Sequence, residues 1–234
     1  YKLGEYERAD GHLGSAAREL EEVYGIDDER TLDAIGSYVH NLCCLDRPEE
    51  AESIARDALD RCGHVWNDGS DHIRTSLAWA LSLQARPGEA LEIHTALLEH
   101  RIERLGPDHQ DTLSSTNNVG QALMSLGRSE DALPYFETSL ERQRALFGVD
   151  DPRTIRATYN YGGVLMNVDR IDEAAPLMAE AVERSTRVLG PDHLFTMHRR
   201  MGLIQLALLR GDFAQEQEQS EIMLAECEHC LLYT

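Results

Sequence analysis

Lysine is all but missing from the 234 residues: Lys2 stands alone among 22 basic residues, and the rest are arginine. Beyond the first turn of chain, no lysine is placed for Schiff-base chemistry or for a phosphate-binding loop. Long apolar runs are missing too. The longest candidate, Gly202 to Leu209, is broken by Gln205 and falls far short of the ~18 residues a membrane helix needs. The opening stretch is polar and does not read as a signal peptide. Five cysteines, Cys43, Cys44, Cys62, Cys227 and Cys230, are odd in number and irregular in spacing. That excludes the disulfide framework of a small secreted domain and fits a reducing, cytoplasmic compartment. A Gly-rich phosphate loop, Gly-x-Ser-x-Gly, His-Glu-x-x-His and the dinucleotide fingerprint are all absent, so no catalytic residue is assigned and no cofactor is expected. The run Cys227-Glu228-His229-Cys230 lacks a second ligand pair and reads as a helix end, so no metal site is expected.

Acidic residues are plentiful. Forty-two of them against 22 basic ones give a formal net charge of −20, which repels phosphate backbones and argues against a nucleic-acid partner.

The chain repeats itself. Leu126-Gly127-Arg128-Ser129-Glu130-Asp131-Ala132 returns 42 residues later as Val168-Asp169-Arg170-Ile171-Asp172-Glu173-Ala174. The same column reaches back through Ala90, Ala51 and Ala9, with one unit of 39 residues, and forward to Glu216. A second marker keeps the phase: Leu105-Gly106-Pro107-Asp108-His109, Phe147-Gly148-Val149-Asp150-Asp151 and Leu189-Gly190-Pro191-Asp192-His193. Tyr24-Gly25-Ile26-Asp27-Asp28 is an earlier copy, and Thr31, Thr112, Thr154 and Thr196 follow the copies. Such a period marks stacked supersecondary units.

Each unit reads as two helices, A and B, punctuated by glycine and Pro-Asp. Helix A is expected to begin at the threonine, acting as N-cap. Val119, Leu123 and Leu126 give its apolar stripe, and Leu133, Phe136 and Leu140 give that of helix B. Gly120 and Gly162 share a column with Ala78, where a small residue admits a close helix B. His94 falls in the Phe136 column and is expected in the core. Pro134 and Pro176 are expected in the first turn of helix B.

On the Gly-Pro-Asp-His…Thr-Leu run at 106–113, Asn117-Asn118 and the run from Gly127 to Ala132, the chain resembles the tetratricopeptide repeat (TPR) family. More narrowly it resembles the long, 42-residue variety of kinesin light chains and of bacterial NB-ARC/STAND-type regulators. The resemblance implies an all-α, right-handed superhelical solenoid of antiparallel helix pairs, about eleven helices in all. The expected organisation is a single solenoid over 1–234: an incomplete repeat at 1–29, repeats at 30–68, 69–111, 112–153 and 154–195, and a last repeat with tail at 196–234. Starting in mid-repeat and without methionine, the chain is expected to be a piece of a longer protein.

The resemblance also implies that A helices line a concave face that holds a partner protein or peptide. By phase, that face takes Asp33, Gly36, His40, Cys43 and Cys44, then His72, Thr75, Trp79, Ser82 and Leu83. Next come Ser114, Asn117, Gln121, Met124 and Ser125, then Arg156, Tyr159, Gly163, Met166 and Asn167. The last unit adds His198, Met201, Gln205, Leu208 and Leu209. Only Asp33 among these is acidic, in a chain with 42 acids. Either a groove shaped for a peptide or simple burial of the A helices accounts for the depletion. The expected partner-binding residues are His72, Trp79, Asn117, Asn118, Gln121, Arg156, Tyr159, Asn160, Met166, Asn167, His198 and Gln205. A peptide carboxylate is expected near Arg156 and His198, with Trp79 and Tyr159 as anchors. The alternatives are self-association through exposed terminal repeats, a structural spacer, or an enzyme-associated or small-ligand-sensing domain.

Overall fold

A computed structural model of the protein describes residues 2–63, 65–211, 217 and 221. The described residues form ten helices and no strand. They fall into two compact units, Tyr1–Gly106 and Pro107–Thr234. The first contains α1 (Lys2–Tyr24), α2 (Glu29–Cys44), α3 (Pro48–Arg61), α4 (Asp68–Leu83) and α5 (Pro87–Leu105). The second contains α6 (Gln110–Ser125), α7 (Ser129–Phe147), α8 (Pro152–Asn167), α9 (Ile171–Leu189) and α10 (Leu194–Arg210). The eleventh helix expected from the repeat, and the Cys227–Cys230 run, lie outside the described residues.

The repeat markers are helix punctuation. Gly106, Gly148 and Gly190 end α5, α7 and α9 with φ of 86°, 78° and 96°, a region that L side chains avoid. Three residues after each glycine stands the N-cap of the next A helix: His109, Asp151 and His193, with Asp28 in the same column. The His109 and His193 Nδ1 atoms accept the amides of Asp111 and Phe195, each at 3.2 Å. The threonines are therefore not the caps. They sit one turn in, fully buried, because a residue at that position points at the preceding B helix: the Thr154 hydroxyl donates to the Gln143 carbonyl at 3.1 Å. The loop aspartates serve as anchors for the following B helix, Asp108 for Arg142 at 3.2 Å and Asp150 for Arg184 at 3.1 Å.

The turn from A to B needs a left-handed residue, which is Gly127 in one unit but Asp46, Ala85 and Asp169 in others. The arginine that follows pairs with the acid three residues on, as Arg170 does with Glu173 at 2.7 Å. Pro134 and Pro176 stand inside α7 and α9, at the sixth residue and not in the first turn, because those helices begin one turn earlier than the prolines suggest.

The core confirms the small-residue column. A Cβ on Gly120 would lie 2.8 Å from the Phe136 ring, and one on Gly162 would lie 2.9 Å from the Met178 sulfur. Bare backbone thus receives the largest helix B side chains. His94 is buried in the equivalent place, and burial pushes its pKa down to about 4, so it is a neutral core residue. Leu126 departs from the expected stripe and is exposed at the end of α6.

The 39-residue unit is short because α3 has 14 residues, where α5, α7 and α9 have 19. The missing marker is replaced by a plug. Trp66 lies over Arg74 at 3.8 Å, Arg74 donates to the Val65 carbonyl at 3.1 Å, and Asn67 and Ser70 form a reciprocal cap on α4. Here the two A helices come unusually close. Ser76 donates its hydroxyl to the Gly36 carbonyl at 3.2 Å, and a Cβ on Gly36 would meet His72 at 2.7 Å.

Candidate functional site

Side chains on neighbouring A helices meet because the A-helix columns recur with the repeat. In the first unit, His72 Nδ1 lies 2.9 Å from Asp33, and Trp79 tilts against His40 with ring centres 4.8 Å apart. Burial holds the His40 pKa below its ordinary value, and neighbouring His72 adds to the effect. Asp33, His40, His72 and Trp79 therefore form one polar–aromatic patch across α2 and α4. Cys43 does not join it. It is buried in the core with its thiol pushed up to about 12, since the helix turns it under α4.

In the second unit, Asn160 donates to Asn117 at 2.8 Å between α8 and α6. Tyr159 and His198 meet edge to face at 5.5 Å between α8 and α10. Gly202 makes room for this: a Cβ there would collide with the Tyr159 hydroxyl. Asn118 and Met166 are half-buried, and Gln121, Asn167 and Gln205 are exposed without joining a cluster.

One cavity, of about 390 Å³, opens in this unit. It is lined by Arg156, Tyr159, Asn160 and His198, all expected at the site, together with Pro152, Arg153, Leu189, His193, Phe195 and Arg199. Four expected residues thus converge, while His72 and Trp79 belong to the other unit. Its walls are mostly apolar, and its charged groups are all cationic. Arg153 is already engaged, forked onto Asp151 at 2.8 Å and stacked on Phe147 at 3.6 Å. Arg156 is exposed and forms no ion pair among the described residues.

Arg199 was not expected. It occupies a column that holds Ile73, Ser115 and Ala157 in the preceding units, where the residue is buried and uncharged. Periodicity assigns such a column to packing. Only the break in its own pattern, a cation after three uncharged residues, marks it in the sequence. Burial pulls the Arg199 pKa below its ordinary range; Tyr159 opposes that shift and Arg156 adds to it. Burial in turn raises that of Tyr159. Among the described residues, no group of three or more His, Cys, Asp or Glu side chains is arranged to hold a metal ion. No helix there is long and apolar enough to cross a membrane.

Two family models, both described as tetratricopeptide repeat, match the sequence: one over residues 71–145 and 111–165, the other over 154–194. No curated protein matches the chain. Among solved structures, BtubC (BKLC) from P. vanneervenii is similar at a TM-score of 0.79 and 18% identity, over 98% of this chain and 92% of that one. The kinesin light chain TPR-like repeats of Podosopora anserina are similar at 0.73 and 15%, over 87% and 98%. Bacillus thuringiensis PlcR, solved with the peptide PapR7 and DNA, is similar at 0.65 and 14%, over 86% and 71%. At these identities the likeness is one of fold.

Proposed function

This chain belongs to the tetratricopeptide repeat family, and from that premise we propose that it is a protein-interaction module whose A-helix face holds a peptide segment of a partner. The observation that carries this is the convergence of Arg156, Tyr159, Asn160 and His198 on one cavity. The family resemblance puts the A helices on the concave face, repeat phase puts Arg156, Tyr159 and His198 in their inward columns, and Asn160 lies in the column beside them. Tyr159 offers an apolar anchor, Arg156 and His198 offer polar contacts at its edge, and the Asn117–Asn160 pair offers amide groups to a peptide backbone. The relative with a peptide in its structure, PlcR, supports the same reading.

The module does not catalyse: the repeat accounts for nearly every residue, which leaves little chain to build an active site. The net charge of −20 sets it against nucleic acid. We place it in the cytoplasm, as a single solenoid within a larger regulator or scaffold of the NB-ARC/STAND kind. Self-association is a second reading, favoured by the exposed Leu194, Phe195, Met201, Leu208 and Leu209 of α10. Light scattering across a dilution series decides it.

The test is selection of a displayed random-peptide library on the purified chain, followed by affinity measurement on Arg156→Glu and Trp79→Ala variants shown by circular dichroism to be folded. Enriched peptides should lose about tenfold or more in affinity on at least one variant. Peptides bound equally well by both variants would move the site off the A-helix face and end this reading.

A further inference from the structure

The two units treat charge differently. In the second, Arg199 is buried, and its Nε and Nη1 atoms have no hydrogen-bond partner. In the first, the charge on the A-helix face stands in the open. Asp33 is the one acid that repeat phase assigns to that face, and its side chain is 65% exposed. Other acids of this unit meet guanidinium groups: Asp28 meets Arg30, Glu52 meets Arg86, and Asp71 meets Arg101. Among the described residues no arginine reaches Asp33; its partner is the His72 imidazole, through one carboxylate oxygen.

The imidazole is seated for this contact. A Cβ on Gly36, one turn on from Asp33, would lie 2.7 Å from the His72 ring, so bare backbone gives the ring its place. Nearby, the Ser76 hydroxyl donates to the Gly36 carbonyl at 3.2 Å and ties α4 to α2. A neutral ring that donates its Nδ1–H fixes the direction of a carboxylate without cancelling its charge. An exposed pair of this kind adds little to stability.

Further along both helices an aromatic pair takes over. His40 stands seven residues after Asp33 on α2, Trp79 stands seven after His72 on α4, and the two rings tilt together at 4.8 Å. Seven residues of helix span about 10 Å. Burial, and after it His72, hold the His40 pKa below its ordinary value, so this ring adds no positive charge at neutral pH.

The occupant follows from charge and length. The strip offers one carboxylate, and an indole about 10 Å further on. A basic side chain complements the carboxylate, and an apolar side chain suits the indole. In a polyproline II segment, residues three apart lie on one face at about 9 Å.

We propose that Asp33, His72, His40 and Trp79 form a site for a basic side chain of a bound peptide, held by Asp33, with an apolar side chain three residues away resting on Trp79. His72 is a positioning residue for the carboxylate. The proposal rests on the interaction-module reading and names the chemistry of one segment of the partner.

The experiment is calorimetric titration of the purified chain with acetyl-Arg-Pro-Pro-Phe-amide and with its Gln and Glu forms in place of Arg. It is run at low ionic strength and at about pH 8, above the ordinary imidazole range. Blocked ends leave the first side chain as the only charge. The Arg form should bind about threefold or more tightly than the Gln form, and the Glu form least. A net charge of −20 attracts any cation, so two variants that each remove one acid separate the site from the general field. Asp33→Asn should bring the Arg form down to the affinity of the Gln form. Glu99→Gln, at an exposed position of α5, should leave the preference as it was. Both exchanges are isosteric and exposed, and circular dichroism checks that each variant is folded. Equal binding of the Arg and Gln forms, a preference that survives Asp33→Asn, or one lost equally in Glu99→Gln overturns the site. So does binding of none of the three peptides. If the site falls in any of these ways while library-selected peptides still lose affinity on Arg156→Glu, the interaction module stands and this proposal alone is ended.

Discussion

At the residue scale, the same repeat position does different work in different units. Thr154 and Thr196 are both fully buried one turn into an A helix. The Thr154 hydroxyl reaches the Gln143 carbonyl, whereas that of Thr196 has no partner. Replacing each by valine keeps the shape and removes the hydroxyl. Thr154→Val should cost about 1–2 kcal/mol, through loss of a buried hydrogen bond. Thr196→Val should be neutral or slightly stabilising, since it removes an unpaired polar atom. Urea denaturation of the two variants checks this; equal losses would mean that the hydroxyls play no separate part. His94 carries the same lesson, as an imidazole kept neutral by burial where another unit has Phe136.

At the scale of the element, the bare-backbone positions of the A helices govern packing. Helix propensity alone would favour alanine over glycine in mid-helix by about 1 kcal/mol. At Gly120 the added methyl would meet the Phe136 ring at 2.8 Å, and a ring in a filled core has nowhere to go. Gly120→Ala should therefore destabilise by about 1–3 kcal/mol, the reverse of its propensity. Gly11 is the control, because nothing lies near a Cβ added there. Gly11→Ala in α1 should be neutral to stabilising. Thermal unfolding of the pair, read by circular dichroism, separates packing from propensity; a stabilised Gly120→Ala would refute the close approach.

For the whole molecule, a net charge of −20 sets the chain against itself. Many arginine–acid pairs offset this locally, yet most are exposed and individually worth little. Screening should relieve the net repulsion more than it weakens those pairs. Raising sodium chloride from about 0.01 M to about 0.2 M, a range over which the screening length falls severalfold, should therefore raise the melting temperature. A falling melting temperature would show that the ion pairs dominate.

Much of this molecule was legible in the sequence because its period and its punctuation are local. The glycine and Pro-Asp punctuation and the apolar spacing each act within about one turn of chain, so they state where helices start, stop and face their own hairpin partner. The threonine cap and the first-turn prolines were misplaced by a few residues because helix ends depend on which neighbouring side chain takes the first amides. The cavity was only half legible. Given the A-helix face that the family resemblance implies, phase placed Arg156, Tyr159 and His198 on it and Asn160 at its edge, since a column states which way a side chain leaves its helix. It did not bring Arg199 into the cavity, because burial is decided by what the next helix, some 40 residues on in the repeat, lays over a side chain. A buried charge without a partner is a property of that packing, and only the tertiary structure makes it visible.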